Sequence, residues 1–81
     1  MANTFHLVIA SVGETRFDGE VASATFPGTD GELTVLAKHE PFVTTLKSGV
    51  IRVKSPSEDP KEFIIESGVL ESSGNRAVVL L

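Results

Sequence analysis

Two histidines and eleven acidic side chains are the groups of this sequence that could carry acid–base or metal chemistry. His6 lies in an alternating stretch with no second ligand at metal-binding spacing, so we interpret it as a residue on a sheet face. His39 is followed by Glu40 and Pro41, and we interpret it as a loop residue that packs or contacts a partner, since a general base needs a substrate within reach. We predict no metal site and no catalytic residue.

The serines and glycines also lack the motifs of nucleophilic catalysis and phosphate binding. No serine stands in a Gly-x-Ser-x-Gly elbow, and the chain has no cysteine. The run Gly28-Thr29-Asp30-Gly31-Glu32 has an acid where a phosphate loop needs a lysine, and its two acids would repel an anion. This run is either a tight turn between strands or a contact loop. The sequence predicts no cofactor.

The overall composition excludes further classes of protein. A net charge of -4 and a pI near 5.0 argue against a nucleic-acid binder, which normally carries a basic patch. The longest unbroken apolar run, Ala77 to Leu81, is far shorter than the roughly 18 residues that cross a bilayer. The N-terminus lacks the basic start and long apolar run of a signal peptide. We expect one soluble domain over residues 1–81, without membrane insertion.

A period of two dominates the apolar pattern and predicts short strands. Asp18-Gly19 is a turn signal between the predicted strands 16–18 and 21–26. The segment 38–47 is predicted to be a loop across one end of the molecule, because Pro41 and β-branched residues disfavour a helix. Strands at near-regular spacing indicate an antiparallel sandwich or barrel. The predicted strands are residues 5–10, 16–18, 21–26, 33–35, 50–54, 63–66, 69–71 and 76–81.

An ordered set of motifs gives the chain a family resemblance. Residues 26–35 match a Pro/Thr-Gly-x-x-Gly-Glu-Leu turn, and residues 38–53 match a Gly-His-x-Pro loop followed by a Leu-Lys-x-Gly-x-Ile/Leu-Arg strand. Residues 62–71 resemble a Phe-x-x-x-x-Gly-Gly-x-Leu-Glu segment. With these motifs in order along its whole length, the sequence resembles the epsilon subunit of F-type ATP synthase, called delta in mitochondria.

The resemblance implies an all-β fold, a small flattened antiparallel β-sandwich of about ten short strands without a C-terminal helical domain. It implies a non-catalytic rotor subunit of the central stalk that binds the gamma subunit and contacts the polar loops of the c-ring. Such a subunit helps to couple proton translocation to ATP synthesis. Its place is peripheral, at the cytoplasmic face of the bacterial inner membrane or the equivalent stromal or matrix face.

The resemblance also assigns contact residues. The segments that face the c-ring loops in the family correspond here to Gly31, Glu32, His39, Glu40 and Pro41. Glu32 is the best single candidate, because the family carries Glu there beside polar and basic ring loops, and His39 is expected near the same interface. Exposed apolar side chains on one sheet face would bind gamma. The pattern does not tell which face that is.

The sequence departs from the family at three points. Lys38 stands where Gly usually precedes the His, and Ser67 replaces the first Gly of a pair, so local backbone changes are expected in both turns. Family members usually continue as two helices that regulate ATP hydrolysis and in some members bind ATP. This sequence stops at Leu81, as a truncated or a naturally short form. The functions of those helices are therefore not transferred to it.

Two other interpretations remain open. A generic β-sandwich interaction module for a peptide or sugar predicts an exposed aromatic platform, whereas the five Phe residues stand mostly at inward strand positions. A small enzyme would use His39 with Glu40 or Glu32, but the sequence offers no nucleophile beside them.

Overall fold

The chain folds into β-strands throughout, and its computed structural model describes residues 3–38 and 40–81. Within these ranges there is no helix, and therefore none that is long and apolar enough to cross a membrane. The predicted all-β class is confirmed. The described strands are β1 (Phe5–Ser11), β2 (Glu14–Val21), β3 (Ser23–Gly28), β4 (Gly31–Leu36), β5 (Phe42–Leu46), β6 (Gly49–Lys54), β7 (Lys61–Ile65), β8 (Gly68–Ser73) and β9 (Arg76–Leu80).

The strands form one hydrogen-bonded path that curls into two layers. Its order is β2-β1-β9-β8-β5-β3-β6-β7, and β4 pairs with β3 beside the path. The pairs are antiparallel except for β1 and β9, which run parallel. The two end strands meet where the Phe17 and Phe63 rings contact edge to face at 5.8 Å between centroids. The result is a β-sandwich, as expected, with one parallel pair that the sequence did not predict.

The core lies between the layers, and all nine described strands contribute to it. Strand residues alternate between the two sides of a sheet, so every second side chain points inward. These inward positions are almost all apolar, which is the period of two seen in the sequence. The buried apolar residues are Phe5, Leu7, Ile9, Val21, Ala24, Phe26, Val35, Leu46, Ile51, Val53, Ile65, Leu70, Ala77 and Val79.

Two predictions of local structure were wrong. Asp18-Gly19 is not a turn, because Gly19 pairs with Leu7 in the middle of β2. The bend before β3 lies at Ala22 instead, between the end of β2 and the start of β3. Strand β1 turns into β2 at Val12-Gly13, where Gly13 takes a φ of 75° that glycine adopts readily. The predicted loop 38–47 contains strand β5, since the β-branched residues that disfavoured a helix there also favour a strand.

Candidate partner-binding surfaces

The turn between β3 and β4 carries the first group of predicted contact residues. Gly28 and Gly31 are paired across the hairpin, and Gly31 has a φ of 134°, in the region that favours glycine. A Cβ on Gly28 would lie 2.6 Å from the Gly31 carbonyl oxygen and 2.7 Å from Leu33 Cδ2. The turn is also tied to β5, because the Thr29 amide donates to the Thr45 carbonyl at 3.1 Å. The Gly-x-x-Gly spacing therefore serves a tight, anchored turn.

Glu32 follows this turn on the outer side of β4. Its Oε2 lies 3.5 Å from Arg52 Nη1, and Arg52 Nε lies 3.3 Å from Glu62 Oε2 on β7. All three side chains are more than half exposed, with 64% exposure for each glutamate. Such surface pairs contribute only about 0–1 kcal/mol. The Glu32 carboxylate therefore stands in solvent beside one guanidinium that it shares with Glu62.

The second group of predicted contact residues lies elsewhere. Glu40 and Pro41 are exposed and follow the far end of β4, next to the start of β5. The backbone there is linked to the β8–β9 turn, because the Lys38 amide donates to Asn75 Oδ1 at 3.3 Å. The Gly31 turn, by contrast, is bonded to the other end of β5. The structure thus does not bring the two groups together, and His39 lies outside the described residues.

The two departures from the family motifs that lie in turns, Lys38 and Ser67, have different local conformations. Lys38 keeps a positive φ of 62°, the conformation that a glycine would adopt without strain. Ser67 does not have a positive φ, so the backbone at this position adopts a conformation that is ordinary for a residue with a side chain. The remaining Gly68 is closely packed, since a Cβ on it would lie 3.0 Å from the Leu80 carbonyl oxygen.

The outer side of the layer formed by β1, β9, β8 and β5 carries a cluster of aliphatic side chains, with the exposed Glu71 placed beside Val43 and Val78 by the strand register. The strand registers place Val8 beside Val78 and Val69 beside Leu80. Val43, Val69 and Leu80 are 66%, 40% and 59% exposed. We call this surface the valine–leucine face; its members are Val8, Val43, Val69, Val78 and Leu80.

The outer side of the other layer, formed by β4, β3, β6 and β7, is mainly polar. Arg52 and its two glutamates lie on it, and the Thr25 and Thr34 hydroxyls are hydrogen-bonded to each other at 3.0 Å. The large apolar side chains exposed there are Leu36 and Ile64, at opposite corners. We call this surface the charged face; its outward residues include Thr25, Glu32, Thr34, Leu36, Arg52, Glu62 and Ile64.

His6 stands at one margin of the valine–leucine face, as a sheet-face residue. Its Nε2 lies 2.5 Å from Asp18 Oδ1 and its Nδ1 lies 3.0 Å from Glu20 Oε2, both on β2. Glu20 also accepts a hydrogen bond from the Thr4 hydroxyl at 2.9 Å. Across residues 3–38 and 40–81, no group of three or more His, Cys, Asp or Glu side chains is arranged to hold a metal ion. The contacts of His6 are those of a surface polar cluster.

The phenylalanines do not form the aromatic platform of a peptide- or sugar-binding module. Phe5 and Phe26 are fully buried. Phe17, Phe42 and Phe63 are partly buried and pack against the core. The large exposed apolar residues are instead aliphatic: Val43, Val69 and Leu80 lie on the valine–leucine face, and Val12, Leu36 and Ile64 lie elsewhere.

A comparison with known families identifies this arrangement of strands and turns. The family model described as the beta-sandwich domain of the ATP synthase delta/epsilon chain matches residues 4–81. The chain belongs to this ATP synthase delta/epsilon family. The predicted resemblance to the ATP synthase epsilon chain is confirmed, as is the predicted β-sandwich domain.

Relatives within the ATP synthase delta/epsilon family cover nearly the whole chain. The ATP synthase epsilon chain 1 of Methylococcus capsulatus is 39% identical over 71 residues, which are 88% of this chain and 51% of that protein. The epsilon chain of Nitrosomonas europaea is 35% identical over 99% of this chain and 57% of its own length. That of Chlorobium limicola is 38% identical over 94% of this chain and 86% of its own length. The chain thus spans about half of the first two relatives.

Solved structures show the same fold. A chain of the Euglena gracilis mitochondrial ATP synthase, from a cryo-EM structure of OSCP, F1 and c-ring, superposes with a TM-score of 0.89 over 96% of this chain and 50% of that one, at 22% identity. A chain of the Tetrahymena thermophila mitochondrial ATP synthase, from a structure of the central stalk and c-ring, gives 0.80 over 93% of this chain and 60% of that one, at 12% identity. At these identities the likeness concerns the fold.

Proposed function

We propose that this chain is a non-catalytic rotor subunit of an F-type ATP synthase, which binds the gamma subunit through its valine–leucine face and contacts the c-ring through a polar turn. The observation that carries the proposal is the exposed aliphatic surface on a β-sandwich of the delta/epsilon family. In this role the chain acts peripherally to the membrane and helps to couple proton translocation to ATP synthesis. Two cross-paired layers suit an element that must resist torque.

The gamma contact follows from the cost of leaving apolar side chains in water. Val43, Val69 and Leu80 stay substantially exposed in the isolated chain. Burial of a valine or leucine side chain contributes about 1.5–3 kcal/mol. A contiguous apolar patch on a small domain is typical of a protein interface. The valine–leucine face therefore has the composition that a stable partner requires.

The c-ring contact is proposed for the Gly31–Glu32 turn first. Glu32 is largely exposed and already faces an arginine, so a basic side chain of a ring loop could take the place of Arg52. Because the pair with Arg52 is a weak surface pair, the exchange would cost little. Glu40 and Pro41, at the other end of β4, form a second candidate contact that can be tested separately.

The gamma contact is tested by calorimetric titration with purified gamma subunit. Val43→Asp places a carboxylate in the proposed interface, and we expect it to raise Kd at least about tenfold. Ile64→Asp is the matched control, since Ile64 is 79% exposed on the charged face, and we expect it to leave Kd unchanged. The reverse pattern would move the interface to the charged face. No binding by a folded chain would leave only a generic interaction module.

The c-ring contact is tested in the assembled enzyme by proton-driven ATP synthesis. Glu32→Lys should reduce coupled synthesis without unfolding the chain, because Glu32 is an exposed position. Glu62→Lys is the control, with the same exposure and the same arginine partner, and should leave synthesis unchanged. Normal synthesis with Glu32→Lys, together with a loss for Glu40→Lys, would assign the contact to the other end of β4.

A further inference from the structure

The β8–β9 turn connects parts of the chain that are far apart in sequence. Asn75 Nδ2 donates to the Thr4 carbonyl at 2.6 Å, and Asn75 Oδ1 accepts from the Lys38 amide at 3.3 Å. The Asn75 carbonyl also accepts from the His6 amide at 2.9 Å. One residue therefore joins the start of β1 to the backbone that follows β4.

The β8–β9 turn restricts the position of the Asn75 side chain. It has two residues, Gly74 and Asn75, between the ends of β8 and β9. Gly74 has a φ of 59°, and a glycine of positive φ at the first turn position is typical of the compact II′ hairpin. The Asn75 amide group is thus held in place by two paired strands.

Lys38 is the residue that needs such support. Its φ of 62° is unfavourable for a residue with a side chain. The hydrogen bond from its amide to Asn75 Oδ1 offsets part of that strain and holds the backbone at Lys38, two positions before Glu40 in the sequence. A conformation of this kind persists only where the surroundings hold it.

We propose that Asn75 is a positioning residue: by holding the Lys38 backbone, its side chain presents Glu40 and Pro41 to the polar, basic loops of a membrane-ring partner. This inference rests on the proposed function, because it takes the c-ring as that partner. It concerns the Lys38 end of β4, which is remote from the Glu32 turn, and it gives a role to a residue outside the family motifs.

The first arm of the test needs no partner. Hydrogen–deuterium exchange is measured on the full chain as wild type, Asn75→Ala and Asn75→Asp. The control is Asn3→Ala, because Asn3 is exposed and is the chain's other asparagine. We expect Asn75→Ala to speed exchange of the Lys38 amide at least about tenfold, while Asn3→Ala leaves it unchanged. Asn75→Asp retains an acceptor for that amide but loses the donor to the Thr4 carbonyl, so its exchange should lie between those of wild type and Asn75→Ala. Unchanged exchange in Asn75→Ala would overturn the proposal.

The second arm measures binding to purified c-ring and, separately, to gamma subunit. We expect Asn75→Ala to weaken c-ring binding several-fold with gamma binding unchanged. Adding Lys38→Gly should restore c-ring binding, because glycine adopts this φ without the hydrogen bond. Equal loss of both partners, or no rescue by glycine, would overturn the positioning role. A wild-type chain that binds neither partner would refute the proposed function, while the exchange arm still tests whether Asn75 holds Lys38.

Discussion

The two outer faces of the sandwich share one backbone plan and differ in chemistry. On the valine–leucine face, neighbouring strands place apolar side chains beside each other, as with Val69 and Leu80. On the charged face several neighbours pair as ions or hydroxyls, as with Arg52 and Glu62, and Val50 beside Ile64 is an apolar pair at one corner. The layer with satisfied polar pairs is suited to water, whereas the aliphatic layer is suited to a partner.

Strand β8 shows the same contrast within a single element. Its inward side includes buried Ser72, whose hydroxyl has no hydrogen-bond partner among the described residues. Its outward side includes Val69, an exposed aliphatic residue. The other outward positions, Glu71 and Ser73, are exposed and polar, and inward Leu70 is fully buried. Ser72 and Val69 are therefore the two residues that depart from an apolar-inside, polar-outside alternation along positions 69–73 of β8.

The largest expected effect is a difference in stability loss between two adjacent residues of β8, one inward and one outward. Leu70→Ala should lower the free energy of unfolding by about 3 kcal/mol, because Leu70 is fully buried and its truncation leaves a cavity. Val69→Ala should cost less than about 1 kcal/mol, since Val69 is 40% exposed. Urea denaturation of both variants measures the difference. Equal losses would mean that the outward side of β8 also stabilises the isolated chain.

A second substitution tests the close packing of the turn between β3 and β4. Gly28→Ala should cost about 2 kcal/mol, because its Cβ would lie 2.6 Å from the Gly31 carbonyl oxygen and 2.7 Å from Leu33 Cδ2, so the turn backbone must shift. Gly13→Ala is the control, since Gly13 has a positive φ but nothing within 4 Å of a Cβ, and should cost about 1 kcal/mol of backbone strain alone. Thermal and urea unfolding compare them. A smaller loss for Gly28→Ala than for Gly13→Ala contradicts the close packing of the turn.

A smaller effect of opposite sign is expected on the inward side of β8. Ser72→Ala should raise the free energy of unfolding by about 1 kcal/mol, because it removes a buried hydroxyl that has no partner in the described part of the chain. Ser73→Ala, at the next and exposed position, is expected to change nothing measurable. Chemical denaturation gives both values. Destabilisation by Ser72→Ala would show that the hydroxyl is satisfied after all, for instance by a buried water.

The smallest expected effect is on the charged face. Arg52→Met removes two surface ion pairs and should cost less than about 1 kcal/mol. The loss should shrink further at high salt, which screens exposed charges. Lys54→Met, two residues along the same strand face, is the reference for a simple change of net charge. A loss for Arg52→Met that is large and independent of salt would contradict the account of this face as solvated.

Much of the fold could be predicted from the sequence, because alternation and turn residues are local signals. The Gly28–Gly31 hairpin and most strands were predicted from them. Strand β5 was missed because Pro41 and a loop-like start hid a short run of β-branched residues. In β1 the alternation predicts one strongly apolar side, formed by Phe5, Leu7 and Ile9, and these three residues are fully buried.

The candidate site was less predictable, because its contacts are non-local. Gly31 and Glu32 are close in sequence to Glu40 and Pro41, yet strand β4 separates the two pairs. Asn75 was missed altogether, since its side-chain partners lie 71 and 37 positions away in the chain. Arg52 was part of a recognised motif, but only the strand register placed it beside Glu32.

Side-chain footprinting of the chain, alone and in complex with purified gamma subunit, directly tests whether the valine–leucine face binds gamma. Carbene labelling reports the exposure of each side chain, and a one-to-one complex can be prepared by co-elution. We expect Val43, Val69 and Leu80 to lose their labelling on binding, whereas Leu36 and Ile64 on the charged face keep theirs. Protection of Leu36 and Ile64 with continued labelling of Val43 and Leu80 would contradict it.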